Sequence, residues 1–205
     1  MNGSDFSPEA YCDAVSILID APASLLPMSI IELHLFSYLG SILSLFQGRP
    51  LGDLGYSYVV TTEGFPFSVQ LEDARALLVS SGLILIDDQG YMQPRFPEIE
   101  AEYQELLTLR SLSERRALFN AATQCALALP IGSIRHAVSQ SPGMASAIDL
   151  GHRSDLFNPD DVSLLYDEYK IVRSVLSQDS KDILAPAVIW LSARIMRGEG
   201  DLNEI

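Results

Sequence analysis

Three histidines, two cysteines and two lysines are the scarce reactive side chains of this 205-residue chain, and none stands at the spacing its chemistry would need. His34 lies in an apolar run, where a single histidine is more often hydrogen-bonded structure than a ligand. His136 stands beside Arg135 in a short basic stretch. His152-Arg153-Ser154-Asp155 sets the residue types of a hydrolytic triad side by side, but chain neighbours cannot face one another as nucleophile, base and orienter must. Cys12 and Cys125 make neither a metal nor a redox spacing, and HExxH and CxxC are absent from the sequence. Gly48, Gly52 and Gly55 lack the Gly-Lys-Ser/Thr ending of a phosphate loop, and Lys170 and Lys181 are the only lysines. The carboxylates Glu98 to Glu105, and Asp160, Asp161, Asp167 and Glu168, space like solvated helix faces and caps. The expectation is a non-enzyme with no catalytic residue, no cofactor and no metal.

The elements that hold these residues read as mostly helical. Ser7-Pro8-Glu9 is a helix start, with proline at the first helical position, and the helix runs to about Asp20. Pro22 and Pro27 break it. Met28, Ile31, Leu35, Leu39, Ile42, Leu43 and Phe46 then fall at helical spacing, with Leu33, Phe36 and Leu45 filling the other sides. A helix apolar nearly all round belongs in the centre of a domain, and Gly48 is placed to end it. Five glycines and prolines between Arg49 and Pro66 surround the β-prone Tyr56-Ser57-Tyr58-Val59-Val60, which predicts a short strand in a long connection. Ser68 caps a further helix whose core face is Leu71, Ala74, Leu77 and Leu78. Leu83 to Asp87 and Tyr91 to Arg95 flank the turn Asp88-Gln89-Gly90, a hairpin signal. Helix, strand, helix and hairpin, in this order, are the parts of a winged helix-turn-helix domain, with the hairpin as its wing.

Past Pro97 helices dominate. Glu98 to Glu105 lie on an acidic helix with Ile99, Tyr103 and Leu106 inward. Ser111 and Glu114 have capping-box spacing ahead of a helix from Ala117 to Leu129. A short helix around Ser133 to Val138 precedes a predicted loop from Ser139 to Asn158. Asn158-Pro159-Asp160-Asp161 opens a helix to about Leu176. The last helix begins at Ser180 or Leu184, is started or kinked by Pro186, and stops at Gly198. The expected organisation is a winged-helix-like domain with an N-terminal helix over 1–96, then a helical region over 97–205 with room for a second, degenerate winged helix.

Charge is distributed unevenly. The 27 acids and 13 bases leave a net charge of −14. Met1 to Leu106 carry 15 acids against 3 bases, whereas Leu107 to Ile205 carry 12 against 10. The presumptive recognition helix, Val69 to Ser81, holds one base, Arg75, beside Glu72 and Asp73, and the wing tip is Asp87-Asp88-Gln89. A groove-reading helix carries Arg, Lys, Asn or Gln toward bases and phosphates. An acidic one points to protein docking instead. A hydrophobic fraction of 48% suffices for a core. The longest charge-free runs are interrupted by polar residues, and Met1 to Glu9 lack the features of a secretion signal, so a soluble, cytoplasmic protein is expected.

Two helices are apolar on more than one side. Val162, Leu165, Tyr169, Val172 and Leu176 form one stripe, and Leu164, Ile171 and Val175 a second. Leu184, Val188, Leu191 and Ile195 form a third, with Ile183 and Trp190 elsewhere on that helix. Such helices are covered either by a second core layer or by a partner. Leu164, Tyr166, Ile171, Val175 and Trp190 form the candidate partner interface.

The run Leu35-Phe36-Ser37-Tyr38-Leu39, then Leu43-Ser44-Leu45-Phe46-Gln47-Gly48-Arg49-Pro50, Gly55-Tyr56, Phe67-Ser68, Leu71-Glu72-Asp73-Ala74, Leu77-Leu78 and Ser81-Gly82-Leu83-Ile84 resembles the middle component of bacterial ABC three-component conflict systems. The resemblance covers roughly Ile30 to Pro94. It implies a non-catalytic winged-helix subunit that docks an SMC-like (Rad50-like) ATPase in Lamassu-type antiphage or antiplasmid complexes, where a separate effector, often a nuclease, does the damage. DNA would then be met only through the complex. The matching residues are fold positions, so no functional residue transfers. The alternative is a winged-helix transcription regulator using Arg110, Arg115, Arg116, Arg135 and Arg153 as phosphate contacts. An enzyme would need a pocket gathering His136 or His152 with carboxylates.

Overall fold

Side-chain caps start the first helices of the computed structural model, which describes residues 6–48, 55–150, 156–157, 159–176 and 182–202. In α1 (Pro8–Asp20) proline occupies the first turn and the Ser7 hydroxyl accepts the Ala10 N–H at 3.1 Å. In α2 (Ile30–Leu43) Ser29 and Glu32 close a reciprocal capping box. A 3-10 turn extends α2 to Gln47, where Gly48, at φ +71°, supplies the left-handed residue that ends it.

Every residue from Leu33 to Leu43 is buried. The stretch Ile30–Gln47, with a mean hydropathy of 1.3, is long and apolar enough to cross a membrane, yet 72% of it is buried inside the protein. Its apolar surface packs against α1 and against α5 (Arg110–Ala128). Gly40 permits the close crossing with α5, since a Cβ there would lie 2.5 Å from the Phe119 ring.

The connection after α2 forms a two-residue ribbon, β1 (Val59–Val60) pairing antiparallel with β2 (Pro66–Phe67). The strand is shorter than the expected Tyr56 to Val60, because Tyr56 and Tyr58 send their rings into the core. Ser68 then caps α3 (Val69–Ser80) by accepting the Leu71 N–H. Leu71, Ala74 and Leu78 face inward, whereas Leu77, expected on the core face, is 42% exposed. It stands about 100° round the helix from Leu78, off the inward stripe. The hairpin forms as expected. β3 (Ile84–Ile86) and β4 (Met92–Pro94) pair as Ile84 with Pro94, Leu85 with Gln93 and Ile86 with Met92. Met28, at the approach to α2, exchanges backbone hydrogen bonds of 2.9 and 2.7 Å with Met92.

The helices that follow are α4 (Glu98–Leu106), α5, α6 (Ile131–Ser139), α7 (Pro142–Leu150), α8 (Pro159–Val175) and α9 (Leu184–Leu202). Three differ from the sequence reading. α5 starts at Arg110, seven residues before Ala117, so Ser111 lies inside the helix instead of at its N-cap, because the buried stripe of Leu112, Arg115, Phe119 and Ala122 begins five residues before Ala117. α7 fills the expected loop. Pro142 opens it, Met144 and Ala147 face inward, and Gly143 leaves room for the Leu156 carbonyl, which a Cβ would strike. α9 takes Pro186 in its first turn and runs past Gly198 to Leu202, since an interior glycine costs a helix only about 1 kcal/mol.

The chain is mostly helical, about 70%. The expected boundary at residue 96 falls between β4 and α4, and one continuous core joins α1, α2 and α3 to α5, α6 and α9 across it.

Candidate interaction surface

The most polar buried assembly lies where α1, α2 and α5 meet. Arg115 donates through Nε to Asp13 Oδ1 at 2.9 Å and through Nη2 to Oδ2. Tyr56 donates its hydroxyl to the same Oδ2 at 2.8 Å. The Ser37 hydroxyl lies 2.9 Å from the Tyr56 oxygen and 2.6 Å from that of Tyr58. Burial pushes the Asp13 carboxyl up and works against charge on Arg115. Their hydrogen bonds and mutual attraction outweigh it for Arg115, which stays protonated above its ordinary range. Burial likewise raises Tyr58 to about 12. Asp13 is fully buried, so this cluster is a strut between helices.

His34, Cys12 and Cys125 are also structural. His34 is buried on α2, accepts the Ser68 N–H through Nδ1 at 3.2 Å and stacks on Phe67. Burial lowers its pKa to about 4, so the ring is neutral and carries its proton on Nε2, which is buried and has no hydrogen-bond partner among the described residues. Burial pushes the Cys12 thiol to about 11 and the Cys125 thiol to about 12, far from a reactive thiolate. His136 is exposed on α6. His152, Arg153 and Asp155 lie outside the described residues. Among the described residues no three His, Cys, Asp or Glu gather to hold a metal.

The α3–hairpin end presents apolar and acidic groups. Val69, Ala76, Leu77 and Ser80 form the exposed face of α3, with Leu85, Ile86 and Tyr91 exposed on the hairpin. Arg75 is clamped by Glu72 through two hydrogen bonds of 2.8 and 2.6 Å. At the hairpin tip Asp87 Oδ1 accepts the N–H groups of Gln89 and Tyr91, so that carboxylate builds the turn.

Among the described residues the bases named as phosphate contacts are occupied. Arg116 forms a two-bond pair with the side chain of Asp20, which is 6% exposed. Arg110 pairs with Glu114, and Arg135 lies over the Phe65 ring. Eight of the ten described Lys and Arg residues stand in ion pairs.

The α8–α9 face is different. Leu165, Tyr169 and Val172 turn inward, and the Tyr169 hydroxyl ties α8 to the end of α2 by donating to the Phe46 carbonyl at 3.0 Å. Leu164, Ile171 and Val175 are 55, 59 and 73% exposed, and Tyr166 is half-buried against the core. Trp190 is not on this exposed surface. At 3% exposure it packs inside, its indole N–H donating to Glu168 Oε2 at 2.9 Å, because a large ring with one polar tip suits a site that is apolar except for a single acceptor. Arg194 stacks over the Trp190 ring and donates to Glu168 and to the Gln140 carbonyl. Arg197, one turn on, reaches Glu168 only at 3.6 Å and is 67% exposed.

These residues border a groove of about 340 Å³ against α7, lined by Pro142, Leu164, Glu168, Arg194 and Arg197. It continues past Ile171 and Ala193 over Trp190. Sequence reasoning found the exposed stripe of α8 but missed Glu168, Arg194 and Arg197. The spacing of Arg194 and Arg197 puts them on one face of α9, but nothing local says that Glu168 stands opposite.

No protein-family model matches this chain, and neither does any curated protein or solved structure.

Proposed function

We propose that this chain is a non-catalytic docking subunit built on a winged-helix-like N-terminal unit. Its partner is an SMC-like (Rad50-like) ABC ATPase in a cytoplasmic bacterial antiphage or antiplasmid complex, where it docks the ATPase and restrains a separate effector such as a nuclease. The identity of the partner rests on the resemblance of Ile30 to Pro94. The order α2, β1–β2 ribbon, α3 and β3–β4 hairpin supports that architecture.

The observation that carries the docking reading is the exposed face of α3. A helix that reads DNA offers cations and amides to it. This one offers Val69, Ala76, Leu77 and Ser80, and holds Arg75 against Glu72. An acidic rim around apolar groups repels a polyanion and is complementary to a basic protein surface. A transcription regulator would need Arg115 and Arg116 as phosphate contacts, and their pairing with Asp13 and Asp20 weighs against it.

Affinity-tagged chain purified from its native host should bring down a large ABC ATPase identified by mass spectrometry. A chain that emerges alone as a monomer overturns the reading. Titration with duplex DNA at low salt should show no binding. Affinity that falls steeply with added salt would establish the regulator instead.

A further inference from the structure

We infer that the groove between α8 and α9 seats a single helix of another protein, one with an apolar seam flanked by carboxylates. This goes beyond the docking reading of the α3–hairpin end by adding a second surface of opposite sign and naming the chemistry of what it takes.

Leu164, Glu168, Ile171 and Val175 stand at i, i+4, i+7 and i+11, the alternating four-and-three spacing by which one helix packs along another. The stripe spans eleven residue steps, about 16 Å of helix, or three turns. Its three apolar members are each more than half exposed. The walls are helices, so the groove takes side-chain ridges rather than a strand edge.

Charge selects among helices. Glu168 sits within the seam, but Trp190 and Arg194 already donate to it. A second guanidinium, Arg197, stands exposed at the rim, held only at 3.6 Å among the described residues. Two arginines against one engaged carboxylate leave the groove positive in a chain of net charge −14. At physiological salt the screening length is about 8 Å, so the sign next to the ligand outweighs the sign of the whole molecule.

Trp190 is the only tryptophan in the chain and lies under the groove, which makes its emission a local reporter. The probes are two synthetic helical peptides without tryptophan, each with a Leu/Ile seam, one flanked by Glu and the other by Lys. Each is titrated into the full chain, following Trp190 emission and the anisotropy of a label on the peptide. The Glu-flanked peptide should saturate and bind at least tenfold more tightly than its Lys-flanked twin. Arg197→Glu should reverse that order, Ile171→Asp should abolish binding of both, and Leu77→Asp on α3 should change neither. Tighter binding of the Lys-flanked peptide to the unaltered chain, no saturable binding of either, or an unchanged titration in Ile171→Asp overturns the inference. So does a dimer of the free chain that Ile171→Asp dissociates. An ATPase that still copurifies with Ile171→Asp leaves the docking reading standing on another face, whereas a working groove with no ATPase in the native purification does the reverse.

Discussion

Asp13 with Arg115, and Glu168 with Arg194 and Arg197, are two assemblies of the same chemistry in opposite settings. In the first, one carboxylate meets one guanidinium and a tyrosine hydroxyl deep between α1 and α5, joining residues 102 apart in the chain. In the second, one carboxylate meets an indole and two guanidiniums, the outer of which is mostly in water. A buried charge must be matched by its neighbours, because removing one partner leaves the other desolvated. A charge at a rim carries no such obligation and stays available to a ligand. Access, rather than residue type, separates the strut from the candidate site.

The largest expected effect tests the strut. Asp13→Ala leaves Arg115 buried and unpaired and should lower stability by about 3–5 kcal/mol in urea unfolding. The double replacement Asp13→Leu with Arg115→Met should recover most of that loss. A single-variant loss below about 1 kcal/mol would erase the contrast.

Acid should also act on the buried region first. The folded pKa of His34, about 4, lies below its ordinary 6.5. The unfolded chain therefore takes up the proton first, and stability present above pH 6.5 is lost as pH falls toward 4. The loss should reach about 2 kcal/mol between pH 7.5 and pH 5. His34→Gln should flatten the difference between unfolding curves at those two values.

Glu168→Ala removes the acceptor shared by Trp190 and Arg194 and should cost about 1–2 kcal/mol by the same unfolding assay. The smallest effect on stability belongs to Arg197→Ala, within about 0.5 kcal/mol, as at other exposed positions. The same variant should lose the groove's preference for the Glu-flanked peptide. A loss of stability near that of Asp13→Ala would make Arg197 another strut.

Features written in neighbouring residues were legible in the sequence. Ser7-Pro8, the apolar run of α2, Ser68, and Asp87 to Gly90 specify caps, periodicity and a turn, and each element formed there. Errors arose where tertiary contact overrides a local signal. Pro142-Gly143 reads as a loop, yet the pair opens α7 because the Leu156 backbone passes against Gly143. Ser111 and Glu114 have the spacing of a box, but the buried stripe starting at Leu112 draws the helix upstream. The exposed stripe of the candidate site could be read from α8 alone. Its cations could not, since Glu168 and Arg194 stand 26 residues apart and their encounter is set by how α8 and α9 pack.

The two backbone bonds between Met28 and Met92 give the hairpin a mechanical meaning. Its turn end, at Met92, is bolted to the entrance of α2, the helix around which the fold is assembled. A load applied at Asp88 therefore enters the trunk of the molecule at the first residue of β4 instead of dissipating in a slack joint. Whatever grips the hairpin has hold of a lever whose other end is the core.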